Sequence, residues 1–579
     1  MCCFSAGGFS WDLCIIPAIL LSVCAFYATY KFGANKHICI ISLAFLILSA
    51  ISVVFTLGDT QSAIYEAQKI VLFITAFYIA GVCDLKSFLL KSLSYISAIV
   101  SVIGLMAYLN ILNFNEFIFM DMYLARLQSV IKYANTTALF LAVGYIASIH
   151  SYKNHGKKYY LLFSAISLIG LYLTLSKAMI PIFITIGTLY IFFEKDLRGI
   201  FISQNIITAL FTLPIVYFTS KHIYFLCFAF MAVLILISFK CPLSGKKQIF
   251  KLWLVLFTLA IIAGIIVLII KFESLTTLTG RLVYAKDSLG LVFKNTLFGC
   301  GQGSWQYLQY SVQSMGYSVK YIHNSYLQFL TENGFIFTAL FVFVLAYALF
   351  KAYKAKNYTY SAILLLICLH SFIDFDLSFG IILIITGLIC GDGFYRQPSG
   401  KAFKTVAYMV LALTSIVLVY ASSELIVRDN FEKAYINKNY EVAEKYNNIL
   451  LKLCPYDPQV YINKASLEQI NSGTTTDKVK KCLEIAKSLS PNDHQILREY
   501  IKENADSENI IKHTNEFLSL SPMQENSYLF IKETADKLLS NKKISNELYS
   551  KVINITEDFQ KKHNVKDRNK LLRDIIKEG

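Results

Sequence analysis

The feature that most limits this chain is a succession of apolar runs, each roughly 16 to 22 residues long, about the length needed to cross the hydrocarbon of a bilayer. They begin near Trp11, His37, Ala67, Ser87, Thr136, Tyr159, Ala178, Phe201, His222 and Leu252, and after a polar interval resume near Gly334, Tyr358, Leu377 and Phe403. About fourteen spans predict an all-α fold, a polytopic membrane helical bundle. The short pair around "HSFIDFDLSFG" is the least regular.

Over 579 residues a hydrophobic content of 56% is too high for a soluble protein of that size. The formal charge of +16 does not point to nucleic acid, because Lys and Arg gather in short loops between the runs. With alternate loops assigned to the cytoplasm, that side collects Lys31 and Lys36, Lys153, Lys157 and Lys158, Lys240, Lys246, Lys247 and Lys251. Lys351, Lys354 and Lys356, then Arg396, Lys401 and Lys404, follow on the same side. The positive-inside bias then puts both termini outside, with loops 113–135 and 272–333 and the turn at 374–377.

The 13 cysteines show no zinc spacing, and Cys24, Cys39, Cys227 and Cys368 lie inside apolar runs, so they are expected as small buried hydrophobes. Cys2 and Cys3 follow the first Met without an upstream signal, which argues against a lipoprotein.

Residues 1–423 are therefore expected as a transmembrane domain with a large outer loop at 272–333. Residues 424–579 are a different material: charged, helix-forming and free of apolar runs. Pro455, Pro491 and Pro522 each follow an amphipathic stretch, at spacings that bracket the tetratricopeptide period of about 34. Ala443 and Ala486 stand where paired helices need a small side chain. The tail is expected as a soluble α-helical repeat domain outside the membrane, with a protein partner; a generic helical bundle is the alternative.

The polar residues on the expected outer side carry the functional reading. His323, in "YIHNSYLQFLTENG", ends the longest outer loop, where a neutral imidazole could take a proton from a hydroxyl. A structural histidine held by a tyrosine or carbonyl is the competing reading. "FGCGQGSW" alternates Gly299, Gly301 and Gly303, which could turn backbone N–H groups towards an anion or simply make a tight loop. Arg126, Lys177 and Arg281 sit at outer ends of runs, against the positive-inside bias, where guanidinium and ammonium groups suit a diphosphate whose lipid tail stays in the bilayer. His370 and Asp374, four apart, would share a helix face, so that Asp374 could orient His370. No metal ligand spacing accompanies them, and no metal or cofactor is expected.

Taken in order, "RLQSVIKYANTTALFL", "LTLSKA", "GR…LFGCGQGSW…IHNSYLQFLTENG" and "HSFIDFDLSFG" resemble the O-antigen ligase and polymerase superfamily over roughly residues 60 to 390, and a tetratricopeptide-like tail also occurs in that family. The resemblance implies a GT-C-like, inverting, metal-independent glycosyltransferase of the cytoplasmic membrane. It would use an undecaprenyl-diphosphate-linked glycan as donor and a lipid, glycan or protein hydroxyl as acceptor, among membrane lipids. Polymerisation of repeat units and transfer to protein are the related activities, and a transporter or flippase for lipid-linked glycans is the reading outside enzymes. Carried over residue by residue, His323 would be the base, Arg126 and Arg281 would clamp the diphosphate, and Asn324 and Tyr326 would shape the acceptor site. Where many relatives have Ser-Arg, this chain has Ser176-Lys177, a point charge in place of a bidentate group.

Overall fold

A computed structural model describes residues 6–10, 12–121, 124–240, 247–270, 276–395 and 401–568. Cys2, Cys3, Trp11, Lys246 and Arg396 lie outside the described residues, as do the side chains of Lys240, Lys247 and Lys401.

Every apolar run forms a helix. Before the polar interval come α1 (Ile15–Phe32), α2 (Lys36–Val54), α3 (Thr60–Val82), α4 (Lys86–Tyr108), α5 (Ala134–His155), α6 (Tyr159–Leu173), α7 (Met179–Phe193), α8 (Arg198–Ser220), α9 (Tyr224–Lys240) and α10 (Lys247–Ile270). The interval holds α11 (Thr276–Lys294) and α12 (Trp305–Val312), and after it come α13 (Ser325–Lys354), α14 (Tyr358–Ser371), α15 (Gly380–Gly393) and α16 (Lys401–Ile436). Among the described residues the strands are a single antiparallel hairpin, β1 (Ile118–Asp121) with β2 (Leu124–Leu127), in which Phe119 faces Arg126.

By length and composition, seven described helices can cross a membrane: 12–32, α2, α3, α4, 195–220, α13 and 403–436. The expected count of fourteen is not reached on that measure, in part because some helices are short. With 14 residues each, α14 and α15 rise only about 21 Å, short of a hydrocarbon layer about 30 Å thick. Surface chemistry agrees with a membrane-associated protein. Leu210, Leu213, Phe225 and Val419 stand exposed on helix surfaces, while Ser94, Ser97, Ser101 and Ser167 are fully buried. Cys24 on α1 is exposed, so it is not the buried residue expected of it.

The chain divides into two compact units. The first comprises Met1–Phe45, Lys69–Ile270 and Leu340–Ser415. Its centre is the packing of α4, α5 and α6 through small residues, the usual way membrane helices approach closely. Ser97 and Ser167 hydroxyls meet at 3.1 Å. A Cβ on Gly144 would lie 2.0 Å from that of Ser97, and one on Gly170 would lie 2.3 Å from Ser101 Oγ.

The second unit comprises Leu46–Gln68, Lys271–Ala339 and Ile416–Gly579. Its interval of 272–333, expected as a loop, is largely helical from α11 onward. The helix α13 starts at Ser325, nine residues before the expected span, and is broken at Gly334 (φ 77°, ψ −177°). At 424, where composition changes, α16 continues without interruption to Ile436.

Beyond it the tail is a run of helical hairpins: α17 (Tyr440–Leu453) with α18 (Pro458–Ser472), α19 (Asp477–Leu489) with α20 (His494–Asn504), α21 (Ile510–Leu520) with α22 (Glu525–Ser540), then α23 (Asn546–Lys562). Local sequence explains the starts. Asn439, Asp457, Thr476, Asp493 and Ser545 each cap a helix by accepting a backbone N–H, and Pro458 occupies the first turn of α18. Ala443 and Ala486 are fully buried between neighbouring helices.

The glycine loop gives a test of packing. Gly301 has φ 97°, and a Cβ there would lie 2.3–2.4 Å from Thr56, whereas Gly156 has φ 65° with nothing within 4 Å. Gly156→Ala should cost only the left-handed strain of about 1 kcal/mol. Gly301→Ala should cost several times more, read as loss of folded protein or a lower unfolding temperature in detergent. Equal effects of the two substitutions would contradict this packing.

Candidate functional site

The expected site residues fall into two groups, one in each unit. Arg126, Lys177, His370 and Asp374 belong to the first, and Arg281, Gly301, Gly303, His323, Asn324 and Tyr326 to the second.

In the first unit, α14 ends at Ser371 and the chain turns irregularly before α15. This turn separates two carboxylates that are two residues apart. Asp374 accepts from the Tyr133 hydroxyl at 3.0 and 3.1 Å and from Asn135 Nδ2 at 2.7 Å. Asp376 accepts from Thr136 Oγ1 at 2.8 Å and meets His370 Nδ1 at 2.6 Å. The expected orientation of His370 by Asp374 is thus corrected: the partner is Asp376. The i, i+4 relation holds only inside a helix, and the helix stops one residue after His370. His370, Asp374 and Asp376 are all fully buried.

Asn135 joins this carboxylate to the arginine. Its Oδ1 accepts from Arg126 Nη2 at 2.9 Å and from Ser176 Oγ at 3.0 Å, while its Nδ2 faces Asp374. One amide orientation satisfies all three partners. Arg126 Nε also donates to the Thr174 carbonyl at 2.9 Å, so two bonds fix the plane of the guanidinium, which is half-buried on β2. Lys177 is exposed in the turn between α6 and α7, next to Ser176.

Lys69 of α3 is buried, an uncommon place for a lysine. Its ammonium lies 5.7 Å from the Phe9 ring centre, and Phe9 packs 5.0 Å from Phe379 and 6.2 Å from Phe375. Tyr133 stacks on the same rings, 4.8 Å from Phe375, so an aromatic cluster borders both the lysine and the Asp374 turn.

In the second unit, His323 and Arg281 meet around one tyrosine. Tyr284 follows Arg281 by three residues on α11, hence on one helix face. The His323 ring lies 5.9 Å from the Tyr284 ring. Burial raises the Tyr284 phenol above its ordinary pKa, and the Arg281 charge opposes that rise. Both His323 and Arg281 are half-buried.

The other residues of this group have structural partners. Asn324 Oδ1 accepts the Leu327 N–H at 2.9 Å and so caps α13. Gly301 N–H donates to the Glu332 carbonyl at 2.8 Å, and Cys300 N–H to Thr331 at 2.8 Å. Trp305 N–H meets the Glu332 carboxylate at 3.2 Å. At Gly303 (φ 68°) an added Cβ would lie 3.1 Å from the Ser62 carbonyl, so close backbone approach explains that glycine too. Tyr326 is half-buried near the start of α13.

Asp376 shares the "HSFIDFDLSFG" turn with His370 and Asp374, whereas the sequence alone does not mark Tyr133, Asn135, Lys69, Glu66 or Glu332. Glu66 accepts from the Tyr321 hydroxyl at 2.7 Å. The available signal was "YEAQKI", two charges inside an apolar run, where an ionisable group is costly without a function or a partner. Among the described residues, no three His, Cys, Asp or Glu side chains gather as a metal site. Compared with known proteins, the sequence matches no family model and no curated relative.

Asp376→Ala removes the acceptor of two buried groups, His370 and Thr136. It should destabilise the protein by on the order of 3 kcal/mol, and Asp376→Asn, which keeps one oxygen, by less. Thermal unfolding in detergent measures both; an Ala variant as stable as wild type would remove the pairing from any structural role.

Proposed function

We propose that the protein is an O-antigen ligase-like glycosyltransferase of the cytoplasmic membrane, multi-pass, with its helical tail outside. It would move a glycan from an undecaprenyl-diphosphate donor to a hydroxyl acceptor. The observation that carries this reading is that His323 and Arg281 share Tyr284 as a neighbour, which brings a proton acceptor and a cation to one tyrosine. The ordered motifs of the resemblance support it.

The chemistry needs little else. The acceptor oxygen attacks the anomeric carbon, the glycosidic bond to the diphosphate breaks with inversion, and the acceptor proton passes to His323. A general base of this kind contributes roughly 10²–10⁴-fold. Negative charge grows on the departing diphosphate, where preorganised cations stabilise it more than they stabilise the donor. Arg281 serves that role. The tail's helical hairpins follow the tetratricopeptide pattern and would dock a large acceptor or a protein partner.

Polymerisation of repeat units and transfer to protein hydroxyls use the same chemistry with another acceptor. A second reading, a transporter of lipid-linked glycans, draws on Lys69, a buried cation within an apolar helix.

The size profile of undecaprenyl-linked glycans separates these readings in cells carrying His323→Ala at wild-type protein levels. Long chains stranded on the lipid are expected for a ligase or protein transferase, and single repeat units for a polymerase. An unchanged profile with His323→Ala, together with a loss on Lys69→Ala, would favour transport. Arg281→Lys should keep part of the activity and Arg281→Ala little, because an ammonium retains the charge without the bidentate contact. Equal activity of the two would make Arg281 a structural residue.

A further inference from the structure

The second unit contains a cavity of about 670 Å³ that the transferase reading does not use. Its size falls within the roughly 300–1,000 Å³ of small-molecule sites. Its walls come from three places in the sequence: Asp59 ahead of α3, Tyr307 and Tyr310 of α12, and the first turns of α18, α20 and α22. Those first turns are the repeated Pro-bearing corners of the tail, so equivalent positions of successive hairpins line one space.

The charges on the wall are mostly matched. Asp457 pairs with Arg428 at 2.6 Å, and Glu499 with Lys502 at 2.6 Å. Burial and the neighbouring Asp457 push Asp59 up to about 6. Asp59, Asp493 and Arg498 are the other charged groups of the lining, so its net charge is small, which disfavours a polycation or a polyanion as occupant.

What remains is a set of hydrogen-bonding groups beside aromatic rings. Asp493 is only 8% exposed. Its Oδ1 caps α20, taking the N–H groups of Gln495 at 2.8 Å and Ile496 at 3.4 Å. Its Oδ2 has no hydrogen-bond partner among the described residues, although the side chain lines the cavity. The amides of Gln495 and Asn526 add donors and acceptors on the same wall. Tyr310 and His494 pack with ring centres 4.1 Å apart and planes tilted by 51°. Burial, with the Arg498 charge, lowers His494 to about 4, so the ring is neutral near pH 7.

We infer that this cavity binds a neutral oligosaccharide, with Asp493 accepting from ring hydroxyls and Tyr310 supplying the flat face for a sugar's C–H side. Carboxylates and amides suit pairs of neighbouring hydroxyls, which donate and accept at once. An aromatic face, negative at its centre, attracts the electropositive C–H face of a pyranose. The site needs no transfer chemistry, so it holds whether the unit serves an enzyme or a transporter.

The test uses the full-length protein in detergent and fluorescently labelled neutral hexasaccharides of glucose, mannose and N-acetylglucosamine, with hexalysine as the charged control. Binding is read by anisotropy. At least one hexasaccharide should bind saturably, and Asp493→Asn and Tyr310→Ala should each weaken it tenfold or more. Asn is as good a helix cap as Asp, so Asp493→Asn should leave the unfolding temperature unchanged. Saturable binding that neither substitution weakens would overturn the inference, as would failure of all three hexasaccharides to bind or binding of hexalysine in their place.

Discussion

A carboxylate buried away from water must be met by donors or be neutralised, and at Asp374 that demand organises one end of the first unit. Tyr133 and Asn135 supply the donors. Because Asn135 turns its nitrogen to Asp374, its oxygen is left for Arg126 and Ser176. The hairpin carrying Arg126, the turn before α7 and the turn after α14 are thereby tied to a single amide. Two residues on, Asp376 does the same for His370 and Thr136. Small side chains between α4, α5 and α6 bring the helices close enough for these short bonds to form.

Much of the architecture is legible from apolar run length, since a stretch such as "FLLKSLSYISAIVSVIGLMAY" has few alternatives to a helix. The tail is legible from its Pro corners and Asp caps, which stop one helix and start the next. What run length cannot convey is where a helix ends within a turn's precision. The stop at Ser371 makes Asp376 the partner of His370 in place of Asp374, a matter of half a turn.

Contacts between distant segments were the least accessible part. The spacing of Arg281 and His323 says nothing of their common neighbour Tyr284, because their proximity depends on α11 folding inside what reads as a loop. Asn135 is an ordinary residue in "KYANTTALF" until its three partners arrive from elsewhere in the chain. Lys69 and Glu66 were visible as charges in an apolar run, but composition alone does not tell a caged lysine from a residue at the edge of a span.

The glycine loop has a consequence of its own. An alternation of glycines invites an anion, and in this chain the amides are already taken: the Glu332 side chain meets Trp305 N–H, and its backbone carbonyl takes Gly301 N–H. A covalently tethered group competes at an effective concentration on the order of millimolar or above. Free phosphate at lower levels is therefore a poor rival for these amides. The loop is saturated from within, and the chain carries its own guard against stray anions.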